Sequence, residues 1–89
     1  MSVPDLPRRR DDVRYAEIDN ESVLYDQKSG QAVYLNAPAA LVWKLCDGTL
    51  AITDMADGIA RELNGDSAVI AADIAEIVAT FRTAGLMAD

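Results

Sequence analysis

The hydrophobic period of this chain changes at Asn36, and that change restricts the fold more than any other feature. Before Asn36, β-formers cluster in short runs between turn residues. After it, apolar residues recur at three- and four-residue spacing. The first run, Arg14-Tyr-Ala-Glu-Ile18, meets the turn signal Asp19-Asn-Glu21. Ser22-Val-Leu-Tyr25 follows, then Asp26-Gln-Lys-Ser-Gly30 as a hairpin loop, and Gln31-Ala-Val-Tyr-Leu35 closes the hairpin. Such a sheet has two edges that must be managed.

Asn36 is suited to cap a helix, with Pro38 tolerated in its first turn. That helix carries Leu41, Val42 and Leu45 and stops at Asp47-Gly48. Thr53 is an N-cap candidate for a second helix over 54–64, whose apolar face is Met55, Ile59 and Leu63. Asn64-Gly65 ends it. A third helix starts at Asp66 or Ser67 and reaches about Ala84, with Ile70, Ile74, Ile77, Val78 and Phe81 on one arc. Gly85 closes this helix, and Leu86 can fold back onto it. The helices cannot bury their faces alone, so they pack on one another and on the hairpin. The expected fold is α+β and winged-helix-like, a three-stranded antiparallel sheet followed by three helices.

A chain of 89 residues supports one domain. Residues 1–12 hold two prolines and a charge cluster, and read as a flexible tail preceding a domain over 13–89. Arg8, Arg9 and Arg10 are expected to be solvated. Net charge is −7. Residues 45–89 hold eight acidic side chains against two basic ones, Arg61 and Arg82. An acidic surface repels phosphate backbones, so nucleic acid is not an expected partner.

Histidine is absent, which excludes a histidine-based triad or histidine metal ligands within the chain. Cys46 ends an apolar run and reads as a small buried hydrophobe. No zinc spacing or phosphate-binding glycine loop occurs. No catalytic residue, metal or cofactor is therefore expected. No long apolar run suggests a membrane span or signal peptide, and a single cysteine fits a cytoplasmic setting. Trp43 is expected to be partly buried against the sheet.

From Glu21 to Met87 the chain resembles the pyrroloquinoline-quinone biosynthesis protein D (PqqD) family of RiPP recognition elements. RiPPs are ribosomally made, post-translationally modified peptides. The resemblance is carried by Val23-Leu24-Tyr25, Tyr34-Leu35-Asn36, Leu45-Cys46-Asp47-Gly48, Ile59-Ala60-Arg61-Glu62-Leu63, and Asp73-Ile74 leading into Gly85-Leu86. It implies a peptide chaperone that holds the leader of a precursor peptide as a strand antiparallel to the third strand. Carried over, Gln31, Ala32, Val33, Tyr34 and Leu35 supply the edge, and Val33 is taken as a position whose N–H a leader uses. Ile70, Asp73, Ile74, Ile77 and Phe81 line or support a groove beside it. The implied partners are a leader peptide and a separate modifying enzyme, such as a radical SAM enzyme, a cyclodehydratase or a lasso-peptide protease. An open edge also allows a homodimer. The alternative reading is a winged-helix regulator, or an adaptor without a leader ligand. A DNA-binding version needs a basic recognition helix, and neither the second nor the third helix is basic.

Overall fold

The computed structural model describes residues 5–88. Three strands, β1 (Val13–Ile18), β2 (Glu21–Asp26) and β3 (Gln31–Leu35), precede three helices, α1 (Ala37–Leu45), α2 (Ile52–Leu63) and α3 (Ser67–Thr83). The sheet is antiparallel in the order β1-β2-β3. The architecture is the winged-helix-like α+β arrangement that the change of period predicts.

The local chemistry explains the boundaries. Asp19 and Asn20 both have positive φ, 52° and 66°, which is the type I′ geometry that joins two strands with two residues. Gly30, at φ 73°, closes the second hairpin by donating its N–H to the Asp26 carbonyl at 2.8 Å. Asn36 caps α1, its side-chain oxygen accepting from the Ala39 N–H at 2.9 Å. Asp66 caps α3 in the same way through Ala68. Helix α2 starts earlier than Thr53 suggests. Its N-cap is Ala51, whose N–H is bound by the Asp54 carboxylate at 3.0 Å. At the end of α3, the Leu86 N–H reaches the Phe81 carbonyl while Gly85 adopts φ 74°, a Schellman ending.

The core lies between the inner face of the sheet and the three helices. Leu24, Val42, Met55, Ile74, Val78 and Leu86 are buried in it. Trp43 is 2% exposed, more deeply buried than its sequence context suggests. Its ring meets that of Phe81 edge to face, with centroids 5.3 Å apart. So the tryptophan is anchored by α3 as well as enclosed by the core. Among the described residues, no helix is long and apolar enough to cross a membrane.

The flexible tail expected over 1–12 is corrected for residues 5–12; residues 1–4 lie outside the described part. The Pro7 carbonyl accepts from Gly48 N–H, and Arg9 N–H donates to the Cys46 carbonyl. On the other side, Arg10 N–H donates to Leu86 and the Arg8 carbonyl accepts from Ala88. Residues 7–10 thus run between the loop after α1 and the segment after α3. The arginines are not simply solvated. Arg9 donates to the carbonyls of Trp43 and Lys44, which have no further helical turn to bond. Arg10 grips Asp26 through two bonds of 3.1 Å, Asp12 through two more, and the Gly85 carbonyl at 2.8 Å. Asp26 is 5% exposed, and its charge is tolerable there because this guanidinium matches it bidentately. Proline content and charge density suggest a tail; backbone pairing on both sides overrides them.

Candidate functional site

Among the described residues, strand β3 has one neighbour, β2, and its other edge has no strand beside it. Which backbone groups face that edge follows from the turns. In a two-residue hairpin the closing pair, here Ile18 and Glu21, is hydrogen-bonded in both directions. Bonded and non-bonded pairs then alternate, so Glu21, Val23 and Tyr25 direct their backbone groups to β1. Ser22, Leu24 and Asp26 direct theirs to β3, where they face Leu35, Val33 and Gln31. The β3 groups left to point outward are those of Ala32 and Tyr34. The assignment of Val33 as an edge donor is therefore corrected, since its N–H is directed at β2.

The side chains divide along the same strand. Val33 and Leu35 lie on the inner face, half-buried, and Ala32 and Tyr34 lie on the outer face. Tyr34 is 71% exposed. Between the inner side of β3 and α3 runs a groove of about 260 Å³, walled by Val33, Leu35, Ile77 and Phe81 and closed below by Leu86. A second hollow of about 360 Å³ adjoins it past the Leu35 end, where Ile70, Asp73, Ile74 and Ile77 of α3 face Leu41 and Leu63. Ile77 belongs to both.

The helix residues expected at the site are thus brought together, but in two hollows rather than one. Phe81 forms part of the first, Ile70, Asp73 and Ile74 of the second, and Ile77 stands between them. Ile74 and Phe81 are nearly fully buried and act as floor. Ala32 sits by the outer face instead, in a hollow of about 480 Å³ shared with Val23, Tyr25 and Tyr34. Gln31 lines neither inner hollow. Sequence reasoning missed Leu41 and Leu63, which it took for core faces of α1 and α2. Their spacing marks an apolar face and carries no signal of whether another element covers it.

The electrostatics differ across the sheet. On β1, the Glu17 carboxylate accepts from the Tyr15 hydroxyl at 2.8 Å and from Lys44 at 3.4 Å. The Tyr15 hydroxyl first, and the Lys44 cation second, hold Glu17 below the usual carboxylate range. Asp26 is held below its range by the Arg10 guanidinium, against the desolvation that would raise it. No charged residue occurs in β3. Chemically, the site offers two outward backbone positions beside an apolar groove. That is the requirement for an extended peptide to bind by completing a sheet.

The family profile for coenzyme PQQ synthesis protein D (PqqD) matches residues 21–87. No curated protein matches the chain. Among solved structures, lasso peptide synthetase B1 complexed with the leader peptide is similar, with TM-score 0.82 and 26% identity over 96% of this chain and 100% of that one. The PqqD truncation of Methylobacterium extorquens PqqCD, a stand-alone RiPP recognition element, has TM-score 0.81 and 26% identity over 96% of this chain and 90% of that one. TbiB1 in complex with the TbiA(beta) leader peptide has TM-score 0.77, covering 91% of this chain and 94% of that one. At 23% identity it bears on the fold alone.

Proposed function

The chain belongs to the PqqD family, and on that premise we propose that it is a non-catalytic RiPP recognition element. It binds the leader segment of a precursor peptide as an added strand on β3 and delivers it to a separate modifying enzyme or leader protease. A radical SAM enzyme, a cyclodehydratase or a lasso-peptide protease each fits that role. The observation that carries the reading is the uncharged edge of β3 above the groove walled by Val33, Leu35, Ile77 and Phe81. Backbone bonds to Ala32 and Tyr34 supply affinity. The alternate leader side chains that enter the groove supply selectivity. One similar structure, lasso peptide synthetase B1, is complexed with a leader peptide, which supports the same use of the fold here.

A DNA-binding regulator is disfavoured by charge. Arg82, one of the two basic residues after Lys44, forms an ion pair of 2.8 Å with Asp5. The remaining face of α3 presents Asp73 and Glu76.

The test is a titration of the protein into fluorescently labelled synthetic leaders, taken from any short precursors found encoded beside this gene. Saturable binding that survives moderate salt is expected. Absence of binding to the leaders of all neighbouring precursors would overturn the reading.

A further inference from the structure

The apolar surface beside β3 does not end where the strand ends. Beyond Leu35, the second hollow opens between α1, α2 and α3. Leu41, Ile59 and Leu63 wall it on one side and also wall a third hollow of about 310 Å³ that reaches Leu50 and Met55. Leu41 is 44% exposed and Leu63 72% exposed, so the ridge between these hollows is bare. Among the described residues, the charged ones along the whole path are Asp73, Asp54 and Glu62, and none is basic. The Asp73 side chain makes no hydrogen bond or ion pair with any described residue.

We infer, resting on the leader-binding reading, that the bound peptide runs on past its paired strand into these hollows, and that Asp73 selects a lysine or arginine there. A strand antiparallel to β3 places its N-terminal end beside Leu35. The continuation is therefore the part of the leader N-terminal to the paired segment. An apolar side chain from this part covers the Leu41–Leu63 ridge. A lysine or arginine lays its aliphatic stem on the neighbouring isoleucines and brings its charge to Asp73. An acidic residue at that position meets only like charge. The acidic rim thus acts as a specificity filter, rejecting peptides by repulsion as well as favouring others by attachment.

The probe is a phage-displayed library of random sixteen-residue peptides, selected on the full chain and on Asp73→Lys, Asp73→Asn and Leu63→Glu. Both positions are exposed, so the three variants should fold, and circular dichroism verifies this. The wild type is expected to enrich a β-forming segment preceded by a large apolar residue and a basic one. Asp73→Lys should replace the basic preference with an acidic one, Asp73→Asn should abolish it, and Leu63→Glu should abolish the large apolar preference. A synthetic peptide from the wild-type selection should bind Asp73→Lys about tenfold more weakly, ~1.4 kcal/mol. Every enriched peptide is also tested on Ala32→Pro, which removes an outward N–H of β3. Peptides that lose affinity on Ala32→Pro yet show the same charge preference on wild type and Asp73→Lys would overturn the inference and leave the leader reading standing. Peptides indifferent to Ala32→Pro, or no enrichment at all, would overturn the leader reading and this inference with it.

Discussion

The two edges of the sheet are built for opposite ends. By the same alternation, β1 turns the backbone groups of Tyr15 and Glu17 outward, and β3 turns those of Ala32 and Tyr34 outward. On β1 those two residues carry a polar cluster, in which the Tyr15 hydroxyl bonds Glu17 and Lys44 lies 4.9 Å from the Tyr15 ring centre. An incoming strand would meet a carboxylate and an ammonium along that edge, a common protection against unwanted pairing. On β3 nothing charged opposes a second strand, and an apolar groove receives its side chains. An undefended edge beside a groove is what the proposed strand addition requires.

The largest effect that can break this contrast lies under β3. Phe81→Ala removes a wall of the groove and the partner of the Trp43 ring. It should cost about 3–5 kcal/mol of stability, read as a fall in the thermal midpoint. A change near zero would mean that the groove floor is not part of the core.

Two prolines sharpen the comparison inside β3 itself. Val33→Pro removes an N–H directed at β2 and leaves the buried Leu24 with an unmatched carbonyl. The expected cost is about 1–3 kcal/mol of stability. Ala32→Pro should leave the thermal midpoint nearly unchanged, because proline is tolerated on an edge whose N–H faces outward. Leader affinity should fall about tenfold, ~1.4 kcal/mol. If the two variants behave alike, the alternation assigned from the type I′ turn is wrong.

Acid titrates the polar devices that hold the sheet's surroundings. Asp26 and Asp12 lie below their ordinary range because of Arg10, and Glu17 because of Tyr15 and Lys44. A depressed carboxylate contributes stability above its unfolded pKa and loses it as pH falls through the folded value. Stability should therefore be level near neutrality and decline once pH drops below about 4. Asp26→Asn should flatten that decline, which denaturant midpoints measured across the range will show. An undiminished slope would assign the acid sensitivity elsewhere. The smallest effect is expected at the guarded edge. Glu17→Ala should change neither leader affinity nor the melting midpoint by much, and a marked loss of leader binding would move the site to β1.

Much of this was legible before the structure. Asn36, Gly48, Asn64 and Gly85 punctuate the chain where elements end, since each residue type solves a local backbone problem. The arc of Ile70, Ile74, Ile77 and Phe81 marks the side of α3 that meets other elements. Other features depend on distant partners and leave no local trace. Arg10 looks solvated until Asp26 and the Gly85 carbonyl are placed around it. Leu41 and Leu63 look like core because periodicity reports which face is apolar, not whether anything covers it. Val33 was assigned to the wrong side because period-two patterning locates side chains, whereas the direction of an N–H depends on the parity set by a turn.

The pairing of residues 8 and 9 with 47 and 87 has a consequence for modularity. The Arg8 carbonyl accepts from the Ala88 N–H at 2.8 Å, so the chain enters and leaves the domain at nearly one point. A unit whose two ends meet can be spliced into a surface loop of a host protein, or appended to either terminus, without stretching the scaffold. Neither attachment requires β3 or its groove to be rebuilt. Residues 7–10 therefore do more than stabilise: they make the proposed recognition surface portable, a cassette that different catalysts could carry.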